Sequence, residues 1–139
     1  MQKVTLESLK LEESYHEDDE AARWLASFPF TTGAAGETRT DAESLRVVYN
    51  ELEPGTYIGT HRDSTEEALL VLEGTVEAHI EEEAGTATGG ELVLIPSDTP
   101  HSVRNVGDVR ARMLGFFGEG SFESVFDRSV QPADTTVFE

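Results

Sequence analysis

The chain has 139 residues and no cysteine, which excludes disulfides, thiolate metal sites and cysteine nucleophiles. Its 28 Asp+Glu outweigh 10 Lys+Arg, a formal net charge of −18, so the clustered cations that grip nucleic acid or an anionic membrane are missing. The length suits one domain with a single core: surface scaling predicts roughly 7,100 Å² exposed when folded, from roughly 22,000 Å² unfolded.

Residues 1–22 are mixed in character, and their acidic run Glu17-Asp18-Asp19-Glu20 reads as a solvated loop or a frayed helix start. From Arg23 to Thr31, Trp24, Ala26, Phe28 and Phe30 alternate on one side, a strand pattern that Pro29 confines to an edge or a bend. Residues 32–44 have no apolar periodicity and read as a loop. From Leu45 onward the chain is a series of short strands separated by turn chemistry. LRVVYNEL ends at Pro54-Gly55, ALLVL at Glu73-Gly74, and TVEAHIEEE runs down to Gly85. ELVLIP, a strand around His101–Arg104, VRARMLGFF and a final strand near Val130–Phe138 follow. Punctuation this regular predicts an all-β barrel or sandwich. The first residues, Met-Gln-Lys-Val-Thr-Leu-Glu, lack the apolar stretch of a secretory signal, and no apolar run approaches the ~20 residues of a membrane span. A cytoplasmic protein is expected.

Four histidines carry the first chemical signal. His16, within the acidic segment, is expected to be exposed, and His79 to lie on the solvated face of its strand. His61 and Asp63 are two apart on one strand, so their side chains share a face. Glu67 follows across a short loop on the next strand, and His101 comes from a strand much later in the chain. Two imidazoles and two carboxylates converging inside a barrel could hold a divalent cation. Without a metal, Asp63 and Glu67 facing each other in a dry interior would push one pKa upward and create a general acid or base. By itself the spacing is also compatible with a satisfied core histidine beside surface acids. His61-Arg62-Asp63 imitates the start of a kinase catalytic loop, but the rest of the kinase signature is missing.

The wider spacing decides more. Gly55, five residues, His61-x-Asp63, three residues, Glu67, six residues, Gly74 resembles the first motif of the cupin superfamily. Gly90, five residues, Pro96-x-Asp98, two residues, His101, three residues, Asn105 resembles the second. The resemblance implies a cupin-type double-stranded β-helix, a jelly-roll barrel with an N-terminal strand extension. Residues 1–44 would be the extension, 45–117 the barrel core and 118–139 a C-terminal strand segment. It also implies His61, Glu67 and His101 as metal ligands, and a homodimer in which an N-terminal strand often joins the partner's sheet.

Two positions depart from the motifs. Asp63 stands where a second histidine is usual: it ligates, giving a two-histidine, two-carboxylate set that neutralises a divalent ion; or it swings away, leaving the two-histidine, one-carboxylate composition of non-haem iron oxygenases; or the site is degenerate and empty. The four-ligand set favours manganese, iron(II) or zinc over nickel and copper. Asp98 replaces a glycine, and aspartate tolerates the left-handed turn conformation. Glu67 and Asp63 are the candidates for moving a proton, and Tyr57, Ile58, Met113 and Phe117 for lining a substrate pocket. The implied function is a mononuclear metal cupin, a dioxygenase-like oxidoreductase acting on a small organic molecule. The alternatives are a non-catalytic ligand-binding module, with a scaffold metal or none, and a structural dimer with a plugged barrel. The strongly acidic composition, with eight arginines against the two lysines Lys3 and Lys10, further resembles proteins of salt-accumulating halophiles.

Overall fold

Alternating buried and exposed positions build twelve strands among the described residues of the computed structural model, which are 1–32 and 41–139. They are β1 (Glu12–His16), β2 (Asp19–Ser27), β3 (Arg46–Leu52), β4 (Tyr57–Asp63), β5 (Glu67–Glu73) and β6 (Thr75–Ile80). The second half contains β7 (Glu83–Thr88), β8 (Leu92–Ile95), β9 (His101–Asn105), β10 (Ala111–Phe117), β11 (Ser124–Val130) and β12 (Thr135–Phe138). Two antiparallel six-stranded sheets result, in the orders β1-β2-β3-β10-β5-β8 and β12-β11-β4-β9-β6-β7. Facing each other, they enclose a jelly-roll core that includes Leu52, Leu69, Val71, Val76, Met113 and Val130. The accessible surface is 7587 Å², close to the scaling value for this length. No helix among the described residues is long and apolar enough to cross a membrane.

Turn chemistry sets the strand ends. Gly55, Gly74 and Gly90 all have positive φ, and a Cβ on Gly74 would also come within 2.9 Å of the Ala111 Cα. Asp98 adopts φ +57 in place of the usual glycine, as its short polar side chain permits. Asn105 is fully buried and satisfied, its amide donating to Leu52 O and Val109 O while its Oδ1 accepts from Gly107 N.

The strand expectations need three corrections. The N-terminal segment is a β1–β2 hairpin turning at Glu17-Asp18, and β2 pairs with β3 of the same sheet. The stretch after Thr75 breaks beyond Ile80, where Glu81 takes φ +55 and the chain returns as β7. The C-terminal segment is a hairpin, β11–β12, where one strand was expected. The loop expected over 32–44 falls largely on 33–40, outside the described residues.

Candidate functional site

Three polar side chains enter the barrel from one sheet and one from the other. On β4, His61 and Asp63 point inward while Arg62 between them is exposed. His101 opens β9 directly opposite His61 in the ladder. Glu67 opens β5 in the facing sheet, between Phe117 and Ile95. A register irregularity between Ile58 and His61 explains how both residues line the interior despite their odd spacing.

The hydrogen bonds fix which atoms are offered. His61 Nδ1 lies 2.8 Å from Gly59 O, and His101 Nδ1 lies 2.8 Å from Thr99 O. A carbonyl only accepts, so each Nδ1 carries the proton and donates, and in the neutral ring Nε2 is left with a bare lone pair. Ser124 on β11 donates its hydroxyl to Asp63 Oδ1, which turns Oδ2 inward. Asp63 Oδ2 lies 3.7 Å from His61 Nε2 and 3.4 Å from His101 Nε2, and Glu67 Oε1 is 3.8 Å from His101 Nε2. Asp63 Oδ2 and His101 Nε2 are buried and find no hydrogen-bond partner among the described residues.

That combination fits a metal ion. Orphaned buried donor atoms cost free energy unless something fills the gap between them. The ligand atoms of His61, Asp63 and His101 lie within 4.8 Å of one another. Ligands bound at ~2.1 Å to one ion sit roughly 3.0–3.4 Å apart, near the separations seen here. Oriented imidazoles whose far nitrogen is anchored to a carbonyl are the usual support for such ligands. Glu67 stands at the margin of the trio. Its Oε2 lies over Gly115, where a Cβ would come within 2.2 Å, so the missing side chain makes room for the carboxylate.

The two carboxylates titrate apart. Burial raises Glu67 to about 7, reinforced by the charge of Asp63. Burial pushes Asp63 up as well, but the two imidazoles and the Ser124 hydroxyl outweigh it and hold its pKa below the ordinary value. Burial and the neighbouring His101 lower His61 to about 4, so it is neutral at physiological pH. For His101, burial favours the neutral form, but the adjacent Asp63 and the Thr99 carbonyl carry its pKa upward.

The site opens into a cavity of about 700 Å³, so the barrel is not plugged by side chains. Ile58 and Phe117 line it. Tyr57 and Met113, expected to line it too, do not. Strand parity sends Tyr57 outward, where its hydroxyl bonds to Asp19 and Arg128 and its ring lies under Arg104. Met113 is completely buried in the closed core.

The cupin domain model matches residues 48–117. The chain belongs to the cupin family. Among solved cupin-like structures, Lactobacillus farciminis oxalate decarboxylase in a formate complex aligns with TM-score 0.65 and 16% identity, covering 88% of this chain and 34% of that one. A putative sugar phosphate isomerase from Acidithiobacillus ferrooxidans gives TM-score 0.64 and 21% identity, covering 87% and 76%. The cupin domain of Schizosaccharomyces pombe Cnp3 gives 0.65 and 13%, covering 84% and 73%. These likenesses concern the fold; this chain spans about a third of the decarboxylase. No curated protein matches by sequence.

Three residues around the cupin site were missed or misread in the sequence. Ser124 and Phe126 come from β11, where they lie opposite Asp63 and His61. The Phe126 ring stacks on His61 at 4.5 Å and on Trp24 at 5.6 Å. His16 is the reverse of its expected exposure: it is 2% exposed, with Nδ1 donating to Ser129 O and Nε2 facing Gly59.

Proposed function

We propose that this cupin is a mononuclear metal protein acting as a dioxygenase-like oxidoreductase on a small organic molecule. The observation that carries the reading is the convergence of ligand atoms from His61, Asp63 and His101, with Asp63 Oδ2 and His101 Nε2 buried and unpartnered, in an open cavity. His61, Asp63, His101 and Glu67 would hold one divalent ion, and nitrogen with carboxylate oxygen favours iron, manganese or zinc over nickel and copper. Bound there, the ion would supply Lewis acidity and a binding position for oxygen or substrate.

The protein's own residues divide the remaining work. Asp63, held by Ser124, stays ionised and supplies charge. Glu67, whose carboxyl burial raises to about 7 in the metal-free protein, is the group placed to give or take a proton. The test is oxygen uptake by protein loaded with iron(II) or manganese(II), across a panel of phenols, enols and 2-oxo acids. Uptake per bound metal ion that falls at least tenfold in Glu67→Gln is the expected result. Full metal content with no uptake from any compound would instead favour the non-catalytic ligand-binding module.

The homodimer and the adaptation to high salt are proposals of the same kind. On the outer face of the first sheet, Leu94, Ala68 and Phe116 form one cross-strand row, and Leu92 and Leu94 on edge strand β8 are 68% and 61% exposed. A second copy is the partner we favour: copies of net charge −18 repel one another everywhere except where an uncharged face meets itself.

A further inference from the structure

Building on the metal-centre reading, we propose that the cavity takes a neutral, planar aromatic compound bearing a hydroxyl group, not a small polar dianion. Three observations lead there. The first is size: about 700 Å³ is in the range that holds drug-sized organic molecules, about 300–1,000 Å³, and a two-carbon diacid would leave most of it to water.

The second is the order of the rings. His61 stacks on Phe126 with an interplanar angle of 15°, and Phe126 stacks on Trp24 at 8°. One wall is therefore a row of nearly parallel rings that starts at the polar cluster and leads away from it. Elsewhere on the lining, Phe117 and Phe122 form a second stacked pair, 4.4 Å between centroids. A flat ligand meets aromatic surface along its length while its end reaches His61, Asp63 and His101.

The third is charge. Glu12, Glu13 and Glu139 also line the cavity, and Arg46 is the single arginine or lysine on it among the described residues. In a chain of net charge −18, that lining repels a dianion and tolerates a neutral phenol.

Trp24 makes the test direct, because it is the one tryptophan of the sequence and lines the cavity. Protein with and without added manganese(II) would be titrated with catechol, 2,3-dihydroxynaphthalene and oxalate, following Trp24 emission and the heat of binding. Saturable quenching by both aromatics, tighter for the two-ring compound and at least tenfold tighter than any oxalate binding, is the expected result. Phe28→Ala, a change at a partly exposed cavity residue, should weaken aromatic binding roughly 2- to 10-fold, as should Phe126→Leu. Manganese-loaded protein that binds oxalate but neither aromatic overturns the ligand class and leaves the metal reading standing. Aromatic affinity unchanged in both variants overturns it too, since the compounds would then sit elsewhere. Aromatic binding that responds to both variants in protein unable to retain manganese supports the ligand class while removing the metal reading.

Discussion

Asp63 and Glu67 are both buried carboxylates within 4 Å of His101 Nε2, yet their surroundings separate them. In metal-free protein the consequence is a pH-dependent stability difference. Glu67 has a folded pKa of about 7 against 4.5 for the free side chain, so folding favours its protonated form. Its contribution is fully present below about pH 4.5 and is lost as pH rises through 7. His61 works in the opposite sense: lowered from 6.5 to about 4, it withdraws stability as pH falls through that window. The wild-type profile therefore mixes two opposing slopes, and the informative quantity is a difference between proteins. Glu67→Gln should match wild type near pH 4.5 and exceed it by about 3 kcal/mol above pH 7 in chelator-treated urea melts. An unchanging offset across that range would mean that Glu67 is not held protonated by its site.

At the scale of elements, His16 ties three strands together. It ends β1, donates to Ser129 O on β11 and lays Nε2 against Gly59 on β4, where a Cβ would come within 2.0 Å. Gly59→Ala should cost about 1–3 kcal/mol by overpacking. His16→Ala should relieve most of the clash, so the double variant should be more stable than the sum of the single changes implies; strict additivity in denaturant melts would show that the two do not meet.

The same element marks where the sequence stopped being legible. His61, Asp63, Glu67 and His101 could be found because β4, β5 and β9 fix them at motif spacings bounded by turn glycines. Ser124, Phe126 and His16 could not, because what places them is ladder pairing between strands far apart in the chain, and no local pattern encodes that register. The acidic neighbours of His16 suggested solvent, whereas Glu17 and Asp18 form the exposed turn of a hairpin whose last β1 residue is buried. Tyr57 and Met113 were misplaced for a related reason: periodicity shows that a strand has two faces, but neither which face meets the cavity nor how deep it lies.

For the whole molecule, 18 uncompensated negative charges on 7587 Å², or 7587/18 ≈ 420 Å² per charge, predict a strong dependence on salt. The melting temperature should rise by several degrees between 0.1 and 2 M KCl; a flat profile would count against adaptation to high salt. The apolar row on β8, β5 and β10 makes a separate prediction. Leu94→Glu should shift the mass measured by sedimentation in 2 M KCl from dimer to monomer, and a wild type that is monomeric at high concentration would remove the dimer reading.

The central claim is the metal centre, and elemental analysis of untagged protein purified in high KCl without chelator tests it most directly. The account predicts close to one iron, manganese or zinc per chain, lost in a folded His101→Ala variant. Metal content unchanged in that variant would contradict the ligand assignment. No metal in the wild type, even after incubation with each ion, would contradict the centre itself.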